Sequence, residues 1–530
     1  MNILITPDVD DWAIGTLTKA IVKHNPRFNF INVLVHPRGM AQAFLPLTEA
    51  LEQGVDLWHG QYWNSSLNAI EAIPELANLP TLLTHQNHNS LEEKDWSVFN
   101  GVVGATHWAC DVLKKNHNYV YHIPHSVDLD RYSYITDTCE EDNVGYVGRV
   151  MPHKNLHRVC EGAKNNGYKV VGAGYIEKIK YYNDEVQKYV KDGTLTFIGK
   201  DGRAGKAPAN MKDDLYKKMK VFVMYSTGEY ESGTLPLFEA MARGIPVMAT
   251  SQGSARDLIE DGKNGIIFTE DNFEKKLKEL MEDKELREKL RSNAWQTIKN
   301  YSEQRFARNY AKTYYDIAFN KQPVVSVIIP TFERAEHLAD TIISIDSQAY
   351  IAKEIIVIDD GSDDDGATKM ICKELKQRIK TPLLYLNTND TKHYGLAKAR
   401  NMGVVESLGK VLLFLDDRLS LEDGALEEIV NVPDKVWCFG AKRTKAGIST
   451  KRTFIENFSW IKKKDFVRGG MFNERMGYYG GMSQLLREQY KDRVEFKYND
   501  KAVAKEDLKA SRGRKTDIWK AKDIINKLYE

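Results

Sequence analysis

Arg149 and Lys154 lie five residues apart, just past a β-rich run that ends in a glycine turn (VGYVGR, 144–149, then MPHKNL, 151–156). On a strand-to-helix turn, that spacing lets both cations converge on one phosphate group. Farther along, residues 226–250 read STGEYESGTLPLFEAMARGIPVMAT. Glu231 and Glu239 stand eight apart, with Gly233, Thr234 and Leu235 in the turn between them and a helix starting at about Pro236. The turn's N–H groups can face a sugar and its phosphates, while Glu239 on the helix can reach ribose hydroxyls. Cations, backbone donors and two carboxylates in this order are what a nucleoside diphosphate carrying a sugar requires.

Short β-rich runs alternate with longer helical patterns along the whole chain, the signature of open parallel sheets wrapped by helices. Strands are expected at 2–6, 32–35, 57–59, 81–84, 143–147, 169–171, 194–198, 221–224 and 247–249. A helical stretch is expected over 274–300, where Leu277, Leu280, Met281, Leu286 and Leu290 keep helical spacing. The pattern restarts near 321–323 with VVSVII (324–329), followed by strands at 354–358 and 410–415. This divides the chain into units at 1–135, 136–320 and 321–490 and a basic tail at 491–530. The last thirty residues hold nine Lys or Arg against five acids, which suits a membrane face or an anionic acceptor. A solvated terminal helix packing Ile518, Ala521, Ile525 and Leu528 is the reading these residues favour.

At 530 residues the chain exceeds one ordinary core, and its 42% apolar and 28% charged content is that of a soluble globular protein. A net charge of +1 leaves no field for polyanions over the molecule as a whole. The five cysteines are scattered with no C-x-x-C pairing, which argues against disulfides or zinc and for a reducing, cytoplasmic setting. MNILITPDVDD reads as a buried first strand instead of a signal peptide, and no apolar run approaches a membrane span. A dinucleotide-dependent dehydrogenase or epimerase would want a glycine-rich turn after that strand, and residues 2–15 have none.

The 226–250 segment resembles the E-x7-E region of family-4-type retaining glycosyltransferases, with Glu231 and Glu239 on the two glutamates. IPHSVD (123–128) resembles the IPNGVD segment of that family, DGKNGIIF (261–268) its DG-x-NG-LF segment, and 293–314 its closing helices, which cross back onto the first domain. Arg149 and Lys154 fall on its phosphate-binding Arg and Lys. The resemblance covers about 1–319 and implies a GT-B fold of two Rossmann-like domains, acceptor side first and donor side second. It implies a nucleotide-sugar donor, with UDP favoured over GDP. Gly233, Thr234, Leu235 and Glu239 would hold that donor, Glu231 would orient its sugar, and no metal or other cofactor is required because two cations serve. PTLLTH (80–85) resembles the strand ending in the active-site histidine, which makes His85 the candidate to touch the reacting sugar; a histidine lining the cleft is the alternative. Only Gly15 stands near the family's amino-terminal Gly-Gly.

From Val325 onward the chain resembles family-2-type inverting glycosyltransferases, which implies a GT-A domain. VIIPTFER (327–334) carries Pro330, EIIVIDDGSD (354–363) carries Asp359 and Asp360, GLAKARNMG (395–403) carries Arg400, and VLLFLDD (411–417) ends in Asp416 and Asp417. All these positions, with Arg418, fall on the family's nucleotide site. Arg418 occupies the place of the aspartate that usually ligates manganese or magnesium, so metal dependence stays open, with Asp417 the remaining candidate ligand. In GGMFNERMGYYGGMSQLLR (469–487), Met482 and Ser483 stand where the family's Glu-Asp pair supplies the catalytic base. Two readings follow for this half: a domain that kept its nucleotide fold but lost transfer, or a metal-independent enzyme using Arg418 and another base such as Asp465 or Glu474. The first reading weighs more. For the whole chain the alternatives are a bifunctional two-sugar enzyme and a non-catalytic scaffold, the latter disfavoured by Arg149, Lys154, Glu231 and Glu239 being intact together. The acceptor stays open among a glycan, a lipid-linked sugar, a protein and a modified nucleic-acid base.

Overall fold

The computed structural model describes all residues except 9–12, 36–44, 86–90, 93, 137–138, 200–208, 229–232, 389–394, 446, 450–452, 476–482 and 507–530. Glu231, Met482 and the terminal helix expected around Ile518 therefore lie outside the described residues.

Three sheets organise the chain. The first is built from β1 (Asn2–Thr6), β2 (Asn29–Asn32), β3 (Leu57–Gly60), β4 (Thr81–His85), β5 (Gly101–Gly104) and β6 (Val120–His122). The second has β7 (Asn143–Val147), β8 (Lys169–Ala173), β9 (Leu195–Ile198), β10 (Val221–Met224), β11 (Val247–Thr250) and β12 (Ile266–Phe268). Their orders are β2-β1-β3-β4-β5-β6 and β12-β11-β10-β7-β8-β9, and every pairing is parallel. Parallel strands need covered faces on both sides, and runs such as Ile3–Ile5 are fully buried. The second strand was expected at 32–35 and forms at 29–32, but the N–H groups of Val33 and Val35 still donate to Ile5 and Pro7.

The helix expected over 274–300 is two helices, Phe273–Glu282 and Lys284–Ile298, because Asp283 is extended and its carboxylate accepts from the N–H of Leu286 at 2.9 Å. An Asp N-cap of this kind contributes about 1 kcal/mol. The next helix, Glu303–Ala318, crosses back to the first sheet, as the resemblance implies. Its Phe306, Tyr310, Ala311 and Tyr314 pack with Ile3, Leu17, Ile21 and Phe28. His59 on β3 ties the helix down: one ring nitrogen meets Tyr314 Oη at 2.7 Å, the other Thr84 Oγ1 at 2.7 Å, and Thr84 meets Tyr310 Oη at 3.0 Å.

Burial lowers the His59 imidazole to about 3. The folded protein thus resists a proton that the unfolded chain takes up below pH 6.5. Stability supplied by this region should fall by about 1.4 kcal/mol for each pH unit between pH 6.5 and 3. Urea unfolding of the wild type and His59→Gln from pH 7 to 4 checks this. The variant should lose stability less steeply, and equal slopes would remove the histidine from the acid response.

The third sheet holds β13 (Val325–Thr331), β14 (Lys353–Asp359), β15 (Leu383–Asn387), β16 (Val411–Leu415), β17 (Leu419–Leu421), β18 (Val436–Thr444), β19 (Gly447–Ile448), β20 (Phe458–Lys462) and β21 (Glu495–Glu506). The order β15-β14-β13-β16-β20-β18-β21-β17 is parallel through β16 and mixed beyond it, and β19 pairs with β18. β21 lies in the stretch read from the sequence as a basic tail. Its charge hides a strand whose Ala502 and Ala504 are fully buried between exposed or half-buried neighbours.

The first and third units share a buried contact. Arg27 donates to Glu354 Oε2 at 2.6 Å, and the same carboxylate accepts from Tyr315 Oη (3.0 Å), Ser326 Oγ (2.6 Å) and the N–H of Leu408 (2.6 Å).

Candidate functional site

In the second sheet β7 leads to β8 on one side, while β10 and β11 lie on the other, so chain direction diverges between β7 and β10. Ligands in open α/β sheets bind outside the carboxyl ends of the strands at such a point. Both sequence segments end there. After β7, the N–H of Gly148 donates to Ala173 O at 3.0 Å. A Cβ on Gly174 would fall 1.8 Å from Gly148 O, so the close approach of these two loops demands glycine. Arg149 follows, half exposed, its guanidinium 2.9 Å from Glu177. Lys154 closes a short 3-10 turn (Pro152–Lys154) and is buried. That turn is fastened to the segment after β10: the N–H of Thr227 donates to His153 O at 2.8 Å, and Asn155 Nδ2 donates to Thr227 Oγ1 at 3.0 Å.

The Gly233–Leu235 turn opens the helix Leu235–Ala242, with Pro236 in its first turn, where an unpaired N–H is expected anyway. The N–H of Thr234 donates to Ser254 Oγ at 3.2 Å. A Cβ on Gly233 would strike the His125 ring at 1.9 Å, so the IPHSVD segment and this turn are in van der Waals contact. Glu239 is buried and accepts from Tyr216 Oη at 2.6 Å. Burial, then the Glu239 charge, pushes the Tyr132 and Tyr216 phenols well up, so both remain donors. His85 ends β4 with 1% exposure, stacked against Trp63 (rings 6.3 Å apart, 7° between planes) and met edge-on by Trp96 at 5.1 Å.

The third sheet gathers its expected residues at the carboxyl ends of β13, β14 and β16. Pro330 pairs with Ile358 inside the β13–β14 ladder. Asp359 is buried, accepting from Tyr385 Oη at 2.7 Å, Asn387 Nδ2 at 3.2 Å and the N–H of Ser362 at 2.8 Å. Asp360 accepts from the N–H of Gly395 at 3.0 Å. Asp417 is fully engaged, its two oxygens held by Thr331 (2.8 Å) and Arg334 (3.0 Å). Burial pushes its carboxyl up, and Arg334 opposes that. Asp416 reaches Arg400 at 3.2 Å, Asn457 Nδ2 at 2.9 Å and Arg418 at 3.8 Å. Arg400 is completely buried, and its Nε and Nη1 find no acceptor among the described residues. Arg418 also pairs with Glu506 at 3.6 Å, and Lys442 meets the same carboxylate at 3.8 Å.

The family model "Glycosyl transferases group 1" matches residues 139–297, and "Glycosyl transferase family 2" matches 326–492. The chain carries two glycosyltransferase domains in tandem. The GT-B part shares its fold with a sucrose-phosphate synthase from Thermosynechococcus elongatus (TM-score 0.50, 14% identity, 60% of this chain and 100% of that one). Among curated relatives, a GalNAc(5)-diNAcBac-PP-undecaprenol beta-1,3-glucosyltransferase from Campylobacter jejuni is 30% identical over 34% of this chain and 57% of its own length. A GDP-mannose-dependent alpha-mannosyltransferase from Mycolicibacterium smegmatis is 33% identical over 25% of this chain and 31% of its own. The poly(ribitol-phosphate) beta-N-acetylglucosaminyltransferase TarP of Staphylococcus aureus is 35% identical over 20% of this chain and 32% of its own. The chain thus spans between about a third and just over half of these relatives.

Sequence reading missed several residues at the two candidate sites. Tyr216 holds Glu239 from a helix with no motif of its own. Lys442, Glu456, Asn457 and Glu506 come to the neighbourhood of Asp416 and Arg418 from the mixed half of the third sheet. None belongs to a recognisable spacing, because β18, the loop before β20 and β21 are far apart in sequence. Asp465, weighed as a base, is instead buried and accepts from the N–H of Lys435 at 2.8 Å. Glu474 accepts from Asn401 at 2.8 Å on the wall of a groove lined by Phe472, Leu485 and Gln489. No helix of the described residues is long and apolar enough to cross a membrane.

Proposed function

We propose that this chain moves a sugar from a nucleotide-sugar, a UDP-sugar by the family resemblance, onto a hydroxyl of a glycan or lipid-linked acceptor, with the GT-B half the principal catalyst. The observation that carries the reading is that Lys154 follows β7 and the Gly233–Leu235 turn and Glu239 follow β10, on neighbouring parallel strands whose exit segments are joined where the N–H of Thr227 donates to His153 O. There, the diphosphate lies against Lys154 and the helix amino terminus, and Glu239 accepts from the ribose. Arg149 exchanges Glu177 for phosphate at little cost, since a surface ion pair is worth about 0–1 kcal/mol. The bond from the anomeric carbon to the diphosphate oxygen breaks, the acceptor oxygen takes its place on the same face while its proton passes to the departing diphosphate, and Lys154 and Arg149 neutralise the departing charge. No metal is needed in this half. The relatives are glucosyl-, mannosyl- and N-acetylglucosaminyltransferases with lipid-linked and polymeric acceptors among them, so they support the class without selecting one donor.

Calorimetric titration of the full chain with UDP and with GDP tests the reading. One of the two nucleotides should fill two sites, and Lys154→Ala should remove one of them without displacing the far-ultraviolet spectrum. A chain that binds neither nucleotide would overturn it.

A further inference from the structure

The second domain lacks its family's acids at Met482 and Ser483, yet the fold returns a carboxylate to this place. Ser483 donates its hydroxyl to Glu456, twenty-seven residues upstream in the loop before β20. The adjacent Asn457 clips that loop to Asp416: its side chain donates to Asp416 Oδ2 at 2.9 Å, and its carbonyl accepts from the Asp416 N–H at 3.1 Å. Lys442 reports the same neighbourhood from β18. Burial lowers its ammonium, and the charges acting on it are Glu506, Asp416, Arg418 and Glu456. Glu456 is half-buried.

The cations beside it bear on the divalent metal of the family. Asp417 has both oxygens engaged, and Asp416 already faces Arg400 and Arg418, with Lys442 close by. Such a donor set does not fit a divalent cation, which would meet two or three fixed positive charges at short range. A diphosphate would take the guanidinium of Arg418 and the ammonium of Lys442 as ligands in exchange for Glu506, which they meet at 3.6 and 3.8 Å.

We propose that the GT-A half is a working, metal-independent transferase in which Glu456 is the catalytic base and Arg418 with Lys442 holds the leaving diphosphate. This rests on the nucleotide-sugar reading above. Glu456 takes the proton of the acceptor hydroxyl, or of water. The oxygen forms a bond to the anomeric carbon, the carbon–oxygen bond to the diphosphate breaks, and the nucleoside diphosphate leaves with the electron pair. Glu456 then returns its proton to solvent. Serine at 483 orients the base instead of supplying it.

The experiment uses the full chain carrying Lys154→Ala, so that nucleotide release reports the second domain. UDP-glucose, UDP-N-acetylglucosamine and GDP-mannose are incubated with it, with and without EDTA. Release of nucleotide from at least one donor should survive EDTA. Adding Glu456→Gln should lower kcat about 10²–10⁴-fold while donor KM stays within about threefold. Glutamine keeps an acceptor for Ser483, so a merely structural role would leave kcat unchanged, and Glu456→Asp should recover part of the rate. Bound UDP without release from any donor, or release that ignores Glu456→Gln, would overturn the base assignment alone, and release that requires a divalent metal would overturn metal independence. Failure of the Lys154→Ala chain to bind UDP or GDP would instead remove the nucleotide reading of this half.

Discussion

Lys154→Ala should lower donor turnover by the GT-B half about 10²–10³-fold, the range seen when one preorganised contact to a developing anion is removed. The measurement is nucleotide release by a chain that also carries Glu456→Gln, so that the GT-A half is silent. Lys154 is buried within a turn whose neighbours His153 and Asn155 hold the segment after β10 by backbone and amide bonds. Those bonds do not involve the ammonium, so the fold should persist while kcat falls. Glu239→Gln should act mainly on nucleotide affinity, because an amide still accepts from Tyr216 but carries no charge for the ribose hydroxyls. Alanine is the poorer test at 239. It would strand the buried phenol and add about 1–3 kcal/mol of instability to any loss of binding. Turnover unchanged in Lys154→Ala would sink the assignment of the donor site.

Arg27→Met should be the most destabilising single change away from either site. It leaves Glu354, only 1% exposed, without its counter-charge, and breaking a buried pair in this way costs about 3–5 kcal/mol. The carboxylate keeps Tyr315, Ser326 and the Leu408 and Gly409 N–H groups as donors. The lost term is therefore the charge and its contact between the two transferases. Arg27 comes from the first sheet's domain and Glu354 from β14, so calorimetry of the full chain should show an early transition separating from the main one. The double variant Arg27→Met, Glu354→Gln should recover much of the loss, because it removes the uncompensated buried charge. A single transition at the wild-type temperature in Arg27→Met would show that the pair does not couple the halves.

The residues legible in the sequence were those whose spacing is local. Arg149 and Lys154 sit on one turn, and Glu239 follows the Gly233–Leu235 turn by one helical step, so linear distance already approximates spatial distance. Strands β1, β7 and β10 form at their expected bounds because buried parallel strands are continuous apolar runs. β21 escaped because its two buried positions are alanines among charges, and alanine carries little pattern on its own. The helix break at Asp283 was written in the sequence as an N-cap residue but masked by the leucine periodicity running through it.

Function divides along the same line. The sequence by itself determined that the chain has two nucleotide-sugar folds in tandem, that the first keeps its cations and carboxylates, and that the second has lost its usual acids at 482 and 483. Only the tertiary structure decided what stands in their place. Glu456 reaches Ser483 across twenty-seven residues, and Glu506 reaches Arg418 from β21 through pairing between strands distant in sequence. Arg27 and Glu354 are 327 residues apart and meet only because two domains bury a common surface. Local spacing is set by the geometry of one turn or one helix. A charge that crosses between sheets is placed by chain topology, and no spacing in the sequence records that.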